Sequence, residues 1–222
     1  MTLLIIFARE PSPGQVKTRL CPPLSGEAAA RLYRCLLEDI LEETARVPGL
    51  TPALSFTPDS AGTFFQELTP AGFFIFPQEG ADLGSRLIRA FDRGWAAGFK
   101  TILIRNSDSP DLPTKMVTDA VQVLESKQAD LVLGPSPDGG YYLVGLKTPQ
   151  PQLFEGIPWS TSSVLADTLA RARQLPLTAH LLPPWPDIDT IADLQAFLER
   201  PPLPGAPGWR TYLCAQQLAA FL

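Results

Sequence analysis

Three segments, far apart in the chain, carry residue types suited to phosphate and metal chemistry. The first is Ala8-Arg9-Glu10-Pro11-Ser12-Pro13-Gly14-Gln15-Val16-Lys17-Thr18-Arg19-Leu20. It places three cations, Arg9, Lys17 and Arg19, in a protein of net charge −5. Gly14 lets the backbone approach a bound group, and the set could cradle a di- or triphosphate. The same residues also suit a solvated turn whose charges pair with Glu10 or Glu27. Neither the Walker spacing nor the Gly-x-Gly-x-x-Gly fingerprint is present. The second segment is Asn106-Ser107-Asp108-Ser109-Pro110-Asp111. Asp108 directly follows an apolar run, and a hard carboxylate oxygen beside phosphates is what Mg²⁺ or Mn²⁺ takes. Asp111 equally suits a helix cap. The third is Asp187-Ile188-Asp189-Thr190. Either aspartate can serve only the backbone ahead of the helix; if Asp189 faces Asp108 across the sheet edge, those two would bind one ion.

Two further segments have both a structural and a functional reading. Pro137-Asp138-Gly139-Gly140-Tyr141-Tyr142 is an ordinary hairpin turn or the lining of an acceptor pocket. Pro158-Trp159-Ser160-Thr161-Ser162-Ser163 opens a helix, where hydroxyls cap free N–H groups or an anion uses the same N–H groups.

The elements that must carry these segments follow from hydrophobic periodicity. Leu3 to Ala8 is an apolar run typical of a central parallel strand. Ser25 caps a helix reaching about Val47, with Leu32, Leu36, Ile40 and Leu41 on one stripe. Strands are expected over 52–57, 73–77, 101–105, 130–134, 141–146 and 178–182, and helices over 63–68, 81–97, 114–126, 160–174 and 191–199. Gly98 stands where a helix-ending glycine belongs. Thr190 and Asp193 make a capping box at the start of the helix over 191–199. The alternation predicts a doubly wound α/β sheet. Asp-Gly-Gly joins two strands too closely for a crossover, so one antiparallel strand is expected in an otherwise parallel sheet. Residues 1–200 form the main domain, and 201–222 a Pro-rich linker with a closing helix from Trp209 to Leu222 packed on it.

Composition narrows the function. Hydrophobic residues are 45% of the 222, enough for a full core. No basic run points to nucleic acid, and the apolar start is too short for a membrane span or signal peptide. Cys21, Cys35 and Cys214 include no Cys-x-x-Cys pair and read as reduced thiols of a cytoplasmic protein. His180 is the one histidine and reads as a loop or strand-edge residue.

FAREPSPGQVKTRL, NSDSPDLP, LGPSPDGGYYLVGL, PWSTSSVL and DIDTIADL, in this order over residues 3–198, resemble a bacterial family of GT-A-like nucleotide-diphospho-sugar transferases, usually labelled glycosyltransferases. More distantly the chain is similar to 2-phospho-lactate guanylyltransferases and to molybdenum-cofactor guanylyl- and cytidylyltransferases. The resemblance implies a three-layer GT-A-like sandwich. It assigns nucleotide phosphates to Arg9, Gly14, Lys17 and Arg19, and Mg²⁺ or Mn²⁺ to Asp108 and Asp189. It also sets the helix start within Gln78–Leu87 near the base or substrate. Ile191 and Ala192 replace the family's proline and glutamate, Asn106 its glycine, and prolines stand in the first loop where the molybdenum-cofactor enzymes have glycines.

The expected activity is therefore metal-dependent transfer from a nucleotide donor to a small acceptor, with Lys17, Arg19 and Asp108 catalytic. Asp138, Gly139, Gly140, Trp159 and Ser160 are expected on the acceptor side. Concentrated cations favour nucleotidyl transfer to a phosphorylated or acidic acceptor. The family label favours glycosyl transfer from a nucleotide-sugar, and a non-catalytic nucleotide-binding module is the third possibility.

Overall fold

The structure, a computed structural model, describes residues 1–219. Seven strands form one sheet: β1 (Thr2–Arg9), β2 (Leu50–Thr57), β3 (Phe74–Pro77), β4 (Thr101–Arg105), β5 (Leu131–Pro135), β6 (Tyr141–Leu146) and β7 (Ala179–Leu181). Their spatial order is β3-β2-β1-β4-β6-β5-β7. β6 alone runs antiparallel, against both β4 and β5, and every other pair is parallel. The Asp-Gly-Gly hairpin is the cause: five residues cannot bridge the two ends of a parallel pair.

Residues alternate across β1, sending Leu4 and Ile6 to one face and Leu3 and Ile5 to the other. The first face is covered by α1 (Gly26–Arg46), α2 (Gly62–Leu68), α4 (Thr114–Glu125), α6 (Ile191–Leu198) and α7 (Trp209–Leu218). The second is covered by α3 (Leu83–Ala96), α5 (Val164–Gln174) and a short 3₁₀ turn at Pro151–Phe154. The result is a three-layer α/β sandwich with helices on both faces of a mostly parallel sheet. Among the described residues, no helix is long and apolar enough to cross a membrane.

One expected helix start moves by four residues. The helix expected from Ser160 begins at Val164, because Ser160 has a φ of 66° and ends the helical path there. Its hydroxyls do not cap the helix. Thr161 Oγ1 donates to the Pro158 carbonyl, 2.7 Å away, and Ser163 makes no side-chain cap bond. Asp111 does not cap α4, whose N-cap is Pro113; its carboxylate accepts from Trp185 Nε1 at 3.0 Å. The last helix is described to Leu218, and the expected continuation over 220–222 lies outside the described residues. α7 docks on α1, where buried Asp39 accepts from the Arg210 and Thr211 backbone N–H groups and the Thr211 hydroxyl.

The chain leaves β1 toward β2 and β3, then returns to lay β4 on the other side of β1. That reversal opens a crevice at the carboxyl ends of β1 and β4, where ligands settle in open α/β sheets. The loops carrying Lys17 and Asp108 both leave this edge.

Candidate functional site

Val16, Leu20 and Leu24 are buried and pin the loop after β1 to the core. Between them Lys17 takes the left-handed conformation, with φ 49°. A side chain other than glycine or asparagine pays a steric penalty there, and such strain concentrates at functional positions. The turn sends the Lys17 side chain inward, leaving it 4% exposed. Its ammonium donates to Asp189 Oδ1 at 2.7 Å and to Asp108 Oδ1. Burial alone would lower the lysine's pKa, but the two carboxylates outweigh it and hold the ammonium well above its ordinary value. Lys17 therefore stays charged throughout the physiological range.

The two carboxylates arrive on separate loops that are tied together. The Asp108 carbonyl accepts from the Ile188 N–H at 2.9 Å, and buried Ile188 anchors the second loop. Asp187 Oδ1 accepts from Asn106 Nδ2 at 2.7 Å and from Ser109 Oγ at 2.6 Å, so it clasps both sides of Asp108. Beneath the turn, buried Arg105 donates to the Ser109 carbonyl at 2.8 Å. From α1, the Tyr33 hydroxyl lies 2.7 Å from Ser107 Oγ and accepts from the Arg9 N–H at 3.1 Å. Thr190 and Asp193 form the expected capping box at α6, which fixes the backbone just after Asp189.

Burial first, and then the negative charges of Asp108 and Asp189, push the Asp187 carboxyl up to about 6. A carboxyl whose folded pKa lies above its unfolded value favours folding most at low pH. That advantage is lost as pH rises through about 6. Asparagine offers the same oxygen to Asn106 and Ser109 without the charge. In the presence of chelator, Asp187→Asn is expected to match wild type near the ordinary carboxylate pKa of about 4. Above neutrality it is expected to be more stable by on the order of 1–3 kcal/mol. Urea titrations across that range check this; a difference independent of pH would contradict it.

Above the Lys17 cluster lies an open cleft of about 390 Å³, walled by Arg9, Gln15, Arg19, Thr57, Gln78 and Arg86. Gln78, at the end of β3, donates to the Ala8 carbonyl at 3.2 Å and the Ser55 carbonyl at 3.0 Å. Its side-chain oxygen accepts from Arg86 at 3.4 Å. Arg9, Arg19 and Arg86 form no ion pair among the described residues, so the pairing of the first loop with Glu10 or Glu27 does not occur. Arg9 instead donates to the Gln15 carbonyl at 3.1 Å.

Asp108 and Asp189 are the carboxylates at the cleft that could hold a divalent ion. Asp108 and Asp189 are 32% and 37% exposed, and each directs one oxygen at Lys17. The second oxygen of each carries no hydrogen bond among the described residues. No group of three or more His, Cys, Asp or Glu side chains converges among the described residues. Two hard oxygens on a solvent-facing rim fit an ion such as Mg²⁺, which keeps several waters and takes one or two carboxylates together with phosphate oxygens.

Residues 40–161 match the family described as "Uncharacterized protein conserved in bacteria (DUF2064)". The chain belongs to this family. A structure from Desulfovibrio desulfuricans G20, provisionally assigned as a nucleotide-diphospho-sugar transferase, is 30% identical; the match covers 99% of this chain and 96% of that one, with a TM-score of 0.90. CMP:2-keto-3-deoxy-manno-octonic acid synthetase complexed with CTP is 12% identical over 98% of this chain and 99% of that one, at a TM-score of 0.59. Molybdopterin-guanine dinucleotide biosynthesis protein A from Archaeoglobus fulgidus is 13% identical over 88% and 96%, at 0.54. No curated protein sequence matches the chain. The DUF2064 chain thus has the fold of nucleotidyl and sugar-nucleotide transferases.

The structure brings Lys17, Asp108 and Asp189 into contact and sets Arg9 and Arg19 on the cleft wall. Lys17 differs from the expected free phosphate cation, because both carboxylates already hold it. Gly14 has φ 71° in a tight turn and does not line the cleft. The acceptor-side residues form a neighbouring group outside the cleft wall, at the same sheet edge beside β4. Asp138 accepts from Ser136 Oγ at 2.6 Å and the Gly140 N–H at 2.9 Å. Gly139 packs so tightly on the Ser162 backbone that a Cβ would lie 2.0 Å from its carbonyl oxygen. Trp159 stacks edge-on with Tyr141 and covers Gly84, where a Cβ would meet the indole nitrogen at 2.6 Å. Ser160 is the exposed left-handed residue between them. Arg86 and Tyr33 were not expected as site residues from the sequence, and Asp187 was expected only within the Asp187–Thr190 segment, with no role beside Asp108. Arg86 lay within the Gln78–Leu87 resemblance; Tyr33 looked like one more position on an amphipathic helix.

Proposed function

We propose that this protein is a metal-dependent transferase with a nucleotide donor, and that it moves a nucleotidyl group onto a small phosphorylated or acidic acceptor. The observation that carries the reading is the contact of Lys17 with Asp108 and Asp189 at the floor of a cleft whose three guanidinium groups have no carboxylate partner among the described residues. A polyphosphate supplies the anionic oxygens those guanidiniums lack, and bidentate geometry suits them. Held at Asp108 and Asp189, Mg²⁺ or Mn²⁺ supplies charge neutralisation on the phosphates and the leaving group. Arg19 and Arg86 hold the β- and γ-phosphates, and Gln78 keeps Arg86 in place. An acceptor oxygen attacks the α-phosphorus, the α–β bridging P–O bond breaks, and pyrophosphate carries away the electron pair. Asp138, Gly139, Gly140, Trp159 and Ser160 orient the acceptor from the β4 side. We assign the protein to the cytoplasm, in keeping with its three free thiols.

Glycosyl transfer is the second reading, favoured by the assignment of the 30% identical structure. Thermal shifts with GTP, CTP, ATP, UDP-glucose and GDP-mannose, each with and without Mg²⁺, separate the two. The expected result is a Mg²⁺-dependent rise in Tm with a triphosphate only. A rise with nucleotide-sugars alone would replace this reading by the second, and no rise with any would leave a module without turnover. Arg19→Ala and Arg86→Ala are each expected to weaken triphosphate binding about tenfold, measured by calorimetry; unchanged affinity in both would remove the cleft from the donor site.

A further inference from the structure

We infer that Lys17 is a resident counter-cation that keeps the Asp108–Asp189 site closed to a divalent ion until a polyphosphate gives its ammonium another partner. The inference rests on the nucleotide-donor reading above and adds an order of events to it. Two carboxylates facing one another repel, and an unpaired pair would collect any divalent ion in solution. Here the ammonium already lies within hydrogen-bonding distance of both. It is held there by a left-handed backbone turn and by buried residues on either side, and the ring of Tyr33 lies 5.7 Å from it. A divalent ion entering alone would find one oxygen of each carboxylate already on the ammonium, and could hold both carboxylates only beside that positive charge or by pushing aside a side chain that is 4% exposed. The displaced ammonium would then be buried without a partner, which is costly. The neighbouring guanidiniums of Arg9 and Arg19 repel it as well.

A triphosphate changes this balance. Lys17 lines the same cleft as the free guanidiniums, so phosphate oxygens entering there are within its reach. The ammonium trades carboxylate oxygens for phosphate oxygens, and the carboxylates are released to the ion that arrives with the nucleotide. Metal and donor thus bind cooperatively, each raising the affinity for the other by the same factor.

The test measures free Mn²⁺ by electron paramagnetic resonance during titration of wild type, Lys17→Met, and Lys17→Met combined with Asp108→Asn, all without nucleotide. Lys17→Met is expected to bind Mn²⁺ at least about tenfold more tightly than wild type, and the added Asp108→Asn to abolish the gain. Equal Mn²⁺ affinity in wild type and Lys17→Met overturns the inference while leaving the metal reading intact. A second measurement covers the case in which Lys17→Met does not fold. In wild type the ¹⁵N resonance of the Lys17 ammonium is expected to stay in place with Mg²⁺ alone and to move when GTP or CTP is added with Mg²⁺. Movement with Mg²⁺ alone, or none with Mg²⁺ and a triphosphate that raises Tm, overturns it. If neither GTP nor CTP with Mn²⁺ broadens resonances around Asp108, the metal reading itself falls.

Discussion

A variant carrying both Asp108→Asn and Asp189→Asn is expected to lose about 3 kcal/mol of stability at neutral pH, and adding Lys17→Met to it to restore most of that loss. Asparagine still offers an oxygen to each hydrogen bond, so geometry is kept and only charge is removed. What remains is an ammonium 4% exposed with no anion beside it. It must either stay charged in a poor environment or release its proton, and both outcomes weaken folding. Lys17→Met alone should cost less, because the carboxylates it leaves are 32% and 37% exposed and can take up water. The ranking therefore runs opposite to a count of lost hydrogen bonds. Urea denaturation of the four proteins, with matching m-values, checks it. A double variant within about 0.5 kcal/mol of wild type would show that the ammonium is not committed to these two partners.

The largest kinetic effect is expected from Asp108→Asn. Asp189 still pairs with Lys17 in this variant, so the fold is kept and Tm changes by only a few degrees. An amide has no charge to hold a cation against phosphate oxygens. The loss of that stabilisation is expected to lower kcat/KM for pyrophosphate release by about 10²–10³-fold. The measurement is a coupled pyrophosphate assay with the nucleotide that gives the Mg²⁺-dependent thermal shift. Retention of full activity would move the chemistry away from the β1–β4 crevice.

Much of the frame was legible because its signals are local. Apolar runs such as Leu3 to Ala8 and Ile102 to Ile104 have no polar face, so they mark strands covered on both sides. Ser25 and Thr190 sit one residue before their helices and cap them as expected. The antiparallel strand followed from the shortness of the Asp-Gly-Gly connection. The candidate site was legible only in its residue types. That Asp108 and Asp189 lie together depends on the Ile188–Asp108 hydrogen bond and the grip of Asp187, which no periodicity encodes. Lys17 was harder still. A lysine in a loop after a Pro-Gly turn looks solvated, and its burial depends on partners 91 and 172 positions away. The start of α5 was missed because Ser-Thr-Ser-Ser reads as a capping run, while the hydroxyls here bond one another and a preceding carbonyl.

The clasp between Asp39 and α7 bears on how the polypeptide matures during translation. Asp39 lies in an early helix, yet the N–H groups it caps are 171 and 172 residues downstream. Until residues 210 and 211 have left the ribosome, that carboxylate has only water, and the apolar ground around it stays open. α7 is thus a late-emerging latch on α1, and a chain cut short at residue 200 would leave a gap along α1 for chaperones and proteases to find.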